Sequence, residues 1–180
     1  LFLSVYPKEK EMGFKLGMNG KLYYEDGGFS ADAANDDKPD ISGGVGVELT
    51  IAKDVTLNLE KATADVTTRG NNGFRATVGT LKDGSVDMQI QWDPESAAFQ
   101  SFLSAWLNET PIGLSVLDEA YTAEATPGAH DGTGSGLITN FSINDFTREE
   151  GLEDAMTANI TATPTFTEVQ TAWLDRGGFL

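Results

Sequence analysis

The sequence predicts a mainly β fold: a β-sandwich or partly open β-barrel with one α-helix packed on it. Three observations carry this. Apolar residues recur with period two along most of the chain, turn residues punctuate those runs, and one segment switches to helical spacing. At 180 residues the chain fits a single domain, large enough to bury a core without staples.

The elements follow in order. Lys15 to Tyr24 reads as two short strands about Asn19-Gly20, a hairpin dipeptide because both residues tolerate φ > 0. Residues 25–46 lose the periodicity. They hold Glu25, Asp26, Asp32, Asp36, Asp37 and Asp40 against one cation, Lys38, with glycines at 27, 28, 43, 44 and 46. A stretch this polar is expected to be a mobile acidic loop or an interaction arm. Asp54 to Glu60 alternates, with Val55, Leu57 and Leu59 on one side and Thr56, Asn58 and Glu60 on the other. After the polar connection Thr67 to Gly73, Phe74, Ala76 and Val78 alternate with Arg75 and Thr77 as another strand. Asp83-Gly84 signals a turn. Ser85 to Trp92 is the cleanest strand: Val86, Met88, Ile90 and Trp92 line one face, and Ser85, Asp87, Gln89 and Gln91 the other.

The helix is expected from Pro94 to about Asn108, with Asp93 as N-cap and Pro94 in the first turn. Phe99, Phe102, Leu103, Trp106 and Leu107 form one apolar stripe, suited to the open face of a sheet. Pro111 stops it. Ile112 to Asp118 is a strand with Ile112, Leu114 and Val116 inward. A Gly/Thr/Ala-rich loop, Ala123 to Gly136, follows. Leu137 to Asp145 alternates again, with Leu137, Phe141 and Ile143 buried. Arg148 to Asp154 is an acidic turn. Met156 to Phe166 closes the fold, with Met156, Ala158, Ile160, Ala162 and Phe166 opposite Thr157, Asn159, Thr161, Thr163 and Thr165. This makes about seven strands and one helix. The domain spans 13–174. Trp173, with Phe179 and Leu180 of the tail 175–180, either clamps the chain's own core or meets a neighbour. Residues 1–12 read as an extended arm or as a mis-annotated start upstream of Met12. Their apolar part, Leu1 to Tyr6, is too short for a signal-peptide core and lacks a basic leader.

Composition removes much chemistry. Without cysteine there are no disulfides, thiolate metal sites or cysteine nucleophiles. Lys and Arg total 12 against 28 Asp and Glu, a net charge of −16, which argues against tight binding of a phosphate backbone. The longest apolar runs are too short to span a bilayer, so no membrane partner is expected. His130 is the only histidine, and it sits beside Asp131 in the glycine-rich loop with no second ligand at a useful spacing. Asp36, Asp37 and Asp40 before Gly43-Gly44 miss the alternate-residue spacing of an EF-hand. Gly43-Gly44-Val45-Gly46 is no dinucleotide fingerprint, and Gly132 to Gly136 lacks the lysine of a phosphate loop. Glu149-Glu150 and Glu153-Asp154 read as a solvated face, not a glycosidase pair. The sequons at Asn108, Asn140 and Asn159 carry no weight without an export signal. No catalytic residue, metal ligand or cofactor is assigned.

Three segments carry a family resemblance: Lys53-Asp54-Val55-Thr56-Leu57-Asn58-Leu59-Glu60, then Ala64-Asp65-Val66-Thr67-Thr68-Arg69, then Gly73-Phe74-Arg75-Ala76. With the element Leu81 to Asp93 and the helix after it, they resemble the tail tube (major tail) proteins of long-tailed bacteriophages. The resemblance covers about 13–174 and is most specific over 53–93. It leaves residues 1–11 and the acidic stretch 25–46 unexplained. It implies a non-enzymatic structural protein of the virion tail, assembled in the host cytoplasm into stacked hexameric rings. Strands from each subunit would join in an inner barrel whose lumen passes DNA without specific binding. Other tail proteins (tape measure, tail terminator, distal tail) would be partners.

On the residues themselves, Thr56, Asn58 and Glu60, with Ser85, Asp87, Gln89 and Gln91, are candidate lumen or inter-subunit faces. Carboxylates there would repel phosphates. Open strand edges, a liability in a monomer, serve a ring whose neighbours complete the sheet. The acidic stretch 25–46 and the N-terminal arm are expected to order only on stacking. The rival reading is a monomeric β-sandwich binding module for carbohydrate or adhesion, which needs an exposed aromatic platform or a calcium site.

Overall fold

The computed structural model describes residues 17–122, 133–152, 154–175 and 178–180. Among them the chain forms β1 (Lys21–Glu25), β2 (Ala31–Asp32), β3 (Lys38–Pro39), β4 (Val47–Glu48), β5 (Ala52–Asp65), β6 (Thr77–Gln91), α1 (Ala97–Asn108), β7 (Ile112–Leu117), β8 (Gly136–Glu149), β9 (Thr157–Pro164), β10 (Ala172–Asp175) and β11 (Gly178–Phe179). The main sheet is antiparallel throughout and runs β4-β1-β7-β8-β9-β6-β5, with β10 beside β8 and β11 beside β10. The predicted class, mainly β with one packed helix, is the observed one.

Strand β8 joins two layers. Its residues Gly136 to Phe141 pair with β7, and residues Phe141 to Glu149 pair with β9. A bulge at Asn144, between the pairs Ile143↔Ala162 and Asp145↔Thr161, bends the strand where it changes partners. The first half is buried on both faces and the second only on one. One layer is therefore β4-β1-β7-β8, extended by β10 and β11; the other is β8-β9-β6-β5.

Both layers contribute to one core. Leu22, Ile112, Leu114 and Phe141 meet Val86, Met88, Ile90, Ala158, Ile160 and Ala162, and α1 adds Phe99, Phe102 and Ala105. Trp92, Phe99 and Phe146 pack edge to face, with Trp92–Phe99 centroids 4.8 Å apart and Phe99–Phe146 5.8 Å apart. Such geometry suits ring quadrupoles and adds to the apolar burial. A second cluster lies on the far side of the first layer: Tyr23, Phe29, Ile41, Val45, Leu117, Ile138 and Leu174.

That second cluster corrects the reading of 25–46. The stretch packs against the first layer in the single copy, so its order does not wait for stacking. Three well-spaced apolar anchors, Phe29, Ile41 and Val45, are buried. Buried Asn140 clamps Phe29, accepting from its backbone N–H at 2.7 Å and donating to its carbonyl at 3.0 Å. The acidic residues occupy the turns between anchors, where Asp36 and Asp37 take positive φ.

Other expectations also shift. Residues 17–19 form a 3₁₀ turn, and β1 pairs with β4 and β7, so Asn19-Gly20 closes no hairpin with β1; Lys15 and Leu16 lie outside the described residues. Asp83-Gly84 is no turn either. Its pairing with Glu60 and Leu59 keeps β6 continuous over 15 residues. The helix starts at Ala97 after Ser96, and Asp93 instead accepts from the Glu95 N–H in the preceding turn. Leu107 faces solvent and Trp106 sits at the rim, its ring 6.2 Å from that of Phe146, because the helix turns Phe99, Phe102 and Ala105 most squarely at the sheet. Phe166 lies beyond the end of β9 and is fully exposed. The chain after β9 adds β10 and β11, which put Leu174 and Phe179 on the second cluster, so this tail clamps its own core while Leu180 stays exposed.

A candidate assembly face with two open edges

The polar face begins with the cross-strand register. Thr56 opposes Asp87, Asn58 opposes Ser85, and Glu60 opposes Asp83, so the β5 and β6 candidates share one face. Strand β9 continues it, because Asp87 opposes Thr161, Gln89 opposes Asn159 and Gln91 opposes Thr157. Strand β8 completes it with Asp145 opposite Thr161, Thr147 opposite Asn159 and Glu149 opposite Thr157. The face therefore spans four strands. Its β8 and β9 half was not among the sequence candidates. The alternation of Thr157 to Thr163 was legible, but which strand it would join was not.

Side chains lace the centre of this face together. Asn58 Nδ2 donates to Ser85 Oγ at 3.2 Å and to Asp87 Oδ2 at 2.8 Å. Thr161 Oγ1 donates to Asp87 Oδ1 at 2.7 Å. Gln89 Nε2 donates to Asn159 Oδ1 at 3.0 Å, and Asn144 Nδ2 to Thr163 Oγ1 at 2.7 Å. These bonds hold amides and hydroxyls flat on the sheet. Asp54, Glu60, Asp83, Asp87, Asp145 and Glu149 make the face acidic; no Lys or Arg stands opposite them in the ladder, and Lys53 occupies a bulge at its border.

Among the described residues both edges of this four-stranded layer are open. Strand β5 pairs with β6 alone, and the β8 segment after Phe141 pairs with β9 alone. Beyond β9 the β5–β6 hairpin continues as an arm over residues 60–83. Here Asp65 braces the turn, accepting from the Thr67 N–H at 2.9 Å and from Arg75 Nε at 3.0 Å. Hydrogen bonds from Thr67 and then Arg75 hold the Asp65 carboxyl below the usual carboxylate range. The brace is thus present at neutral pH and is lost as pH falls through that lowered value.

Among the described residues no three His, Asp or Glu side chains gather as a metal site, and no helix is long and apolar enough to cross a membrane. His130 and Asp131, and Glu153 of the Glu153-Asp154 pair, lie outside the described residues.

No protein-family profile and no curated protein matches the sequence. Solved structures do match. A chain from the C6-symmetric tail of an empty gene transfer agent particle superimposes with TM-score 0.57 at 10% identity, covering 86% of this chain and 96% of that one. A chain from the virion of a native gene transfer agent gives 0.56 at 10% identity, covering 93% and 99%. The SPP1 tail tube gives 0.56 at 11% identity, covering 90% and 81%. Coverage this complete at such low identity is a likeness of architecture, and the chain has the fold of phage tail tube proteins.

Proposed function

We propose that this chain is a structural, non-enzymatic subunit of a tail tube in a virion or a related particle, working by self-assembly into rings. The observation that carries this is the four-stranded layer with one acidic face and two open edges. Strands β5, β6, β9 and β8 alternate in direction, so β5 and β8 run opposite ways. The β8 edge of one copy can then accept the β5 edge of the next as another antiparallel pair. An even number of strands per copy lets identical subunits repeat this junction until a ring closes. Six copies, the number seen in the C6 tail of the structural neighbour, give a barrel with a bore lined by Thr56, Asn58, Glu60, Ser85, Asp87, Gln89 and Gln91. Carboxylates at that wall repel phosphates, so DNA passes without being gripped. The tape measure, tail terminator and distal tail proteins would be further partners, with assembly in the host cytoplasm.

Electron microscopy with sedimentation of the purified protein tests the ring. Rings or tubes with sixfold projections are expected. A strictly monomeric species at high concentration would overturn the reading and favour a monomeric binding module. The bore is tested separately by Glu60→Lys with Asp145→Lys, two exposed positions that spare the Asp87 hydrogen bonds. These tubes should assemble and retain double-stranded DNA at low salt, where wild-type tubes do not. Equal retention by both would remove Glu60 and Asp145 from the wall.

A further inference from the structure

The apolar stripe of α1 is wider than its own sheet uses. Phe99, Phe102 and Ala105 are buried, Leu103 is half-buried, and Trp106 and Leu107 are 42% and 62% exposed. Trp106 stands beside Phe146, which packs on the core from the half of β8 that pairs with β9 alone among the described residues. The helix thus sets a large indole on the core side of an open strand edge, where its own subunit leaves it half covered.

The opposite edge has the converse shape. On the core side of β5 a groove of about 710 Å³ lies between the two layers. Val55 and Leu57 line it from β5, and Leu22, Leu49 and Val116 line it from the first layer. Of its charged lining, Lys21 and Glu48 neutralise each other as an ion pair at 2.5 Å. The ladders put Val55, Met88, Ile160 and Phe146 in one row across the assembly layer. When the β8 edge of one copy accepts the β5 edge of the next, this row brings Trp106 of the first to the height of Val55 of the second. The groove runs along β5 from Ala52 to Leu57. A join displaced by two residues, the repeat of a strand face, therefore still leaves the indole within it.

We propose that Trp106 is the anchor of the subunit junction: with Leu107 at its flank, it seats in the groove behind the β5 edge of a second copy. The proposal rests on the ring reading above and names the side chain that makes the junction specific. Bare strand edges pair with many strands, because backbone hydrogen bonds carry no identity. An indole buried in a neighbour's groove selects this chain, and a tryptophan desolvated in a pocket carries a large share of an interface's binding energy. The knob belongs to the β8 side and the groove to the β5 side. The contact is therefore heterologous and runs in one direction round the ring.

The test uses the full chain. Trp106→Ala should stay folded by circular dichroism, yet sedimentation should show the concentration needed for rings rising by at least about tenfold. Trp106→Phe, which keeps an aromatic ring, should recover most of that loss. The natural chain has no cysteine, so thiols can be placed singly. Copies carrying Leu107→Cys, mixed with copies carrying Val55→Cys, should be joined by a short bis-maleimide, whereas neither variant alone should be. This second measurement leaves Trp106 in place. Wild-type ring formation by Trp106→Ala, or no cross-link in mixed rings, overturns the anchor. A thiol–amine reagent that instead ties Val55→Cys to Lys8 or Lys10 of its own chain would also overturn it and give the groove to the chain's own N-terminal arm. Absence of rings in the wild-type protein overturns the ring reading instead.

Discussion

Asn140→Ala should lower unfolding stability by about 3–5 kcal/mol and release the acidic stretch 25–46, a flap over the first layer. Asn140 is 2% exposed and sits where the flap meets β8. Its amide satisfies both backbone groups of Phe29 and also donates to Thr167 Oγ1 at 3.2 Å. Removing it orphans a buried N–H and a buried C=O, each worth about 1–3 kcal/mol when left unsatisfied. It also opens the contact with Gly28, whose backbone has φ +86° and where a Cβ would meet Asn140 Oδ1 at 2.9 Å. Urea unfolding reads the stability, and hydrogen exchange at Phe29 and Ile41 reads the flap. Loss of less than about 1 kcal/mol, with protection at Phe29 unchanged, would show that the apolar anchors hold the flap alone.

A loss of similar size, about 3–5 kcal/mol, is expected for Phe99→Ala. Phe99 is 1% exposed and is the only ring in α1 that touches both Trp92 and Phe146. Truncation leaves a cavity between the helix and the assembly layer, which close packing around the other rings cannot fill. Trp92 fluorescence should report a wetter environment before the main unfolding transition. The helix holds the layer from behind, so ring formation should fall along with stability. Unchanged Trp92 emission with normal rings would mean that α1 is not what supports this layer.

The assembly predictions depend on placements that local sequence only half reveals. Alternation in Asp54 to Glu60 and Ser85 to Trp92 was legible because the side-chain period of a strand is two, and a half-buried sheet writes that period into the chain. The same rule marked Met156 to Phe166 but could not say that β9 lies between β6 and β8. That neighbourhood is set by contacts far apart in sequence. Asp83-Gly84 shows the limit most sharply. Its residues favour a turn, yet a ladder with Leu59 and Glu60 on the facing strand outweighs that local preference. The acidic stretch fails for a related reason: composition averages over Phe29, Ile41 and Val45, whereas docking depends on where those few anchors fall.

By itself, then, the sequence determined the class of the fold, the helix, the alternating faces of the central strands, and an acidic balance hostile to DNA binding. The tertiary structure alone decided which faces became one surface and that, among the described residues, β5 and the far half of β8 each keep one edge open. The physical reason is that period and propensity act between residues a few positions apart. Edges and ends exist only once strands far apart in the chain have chosen their partners.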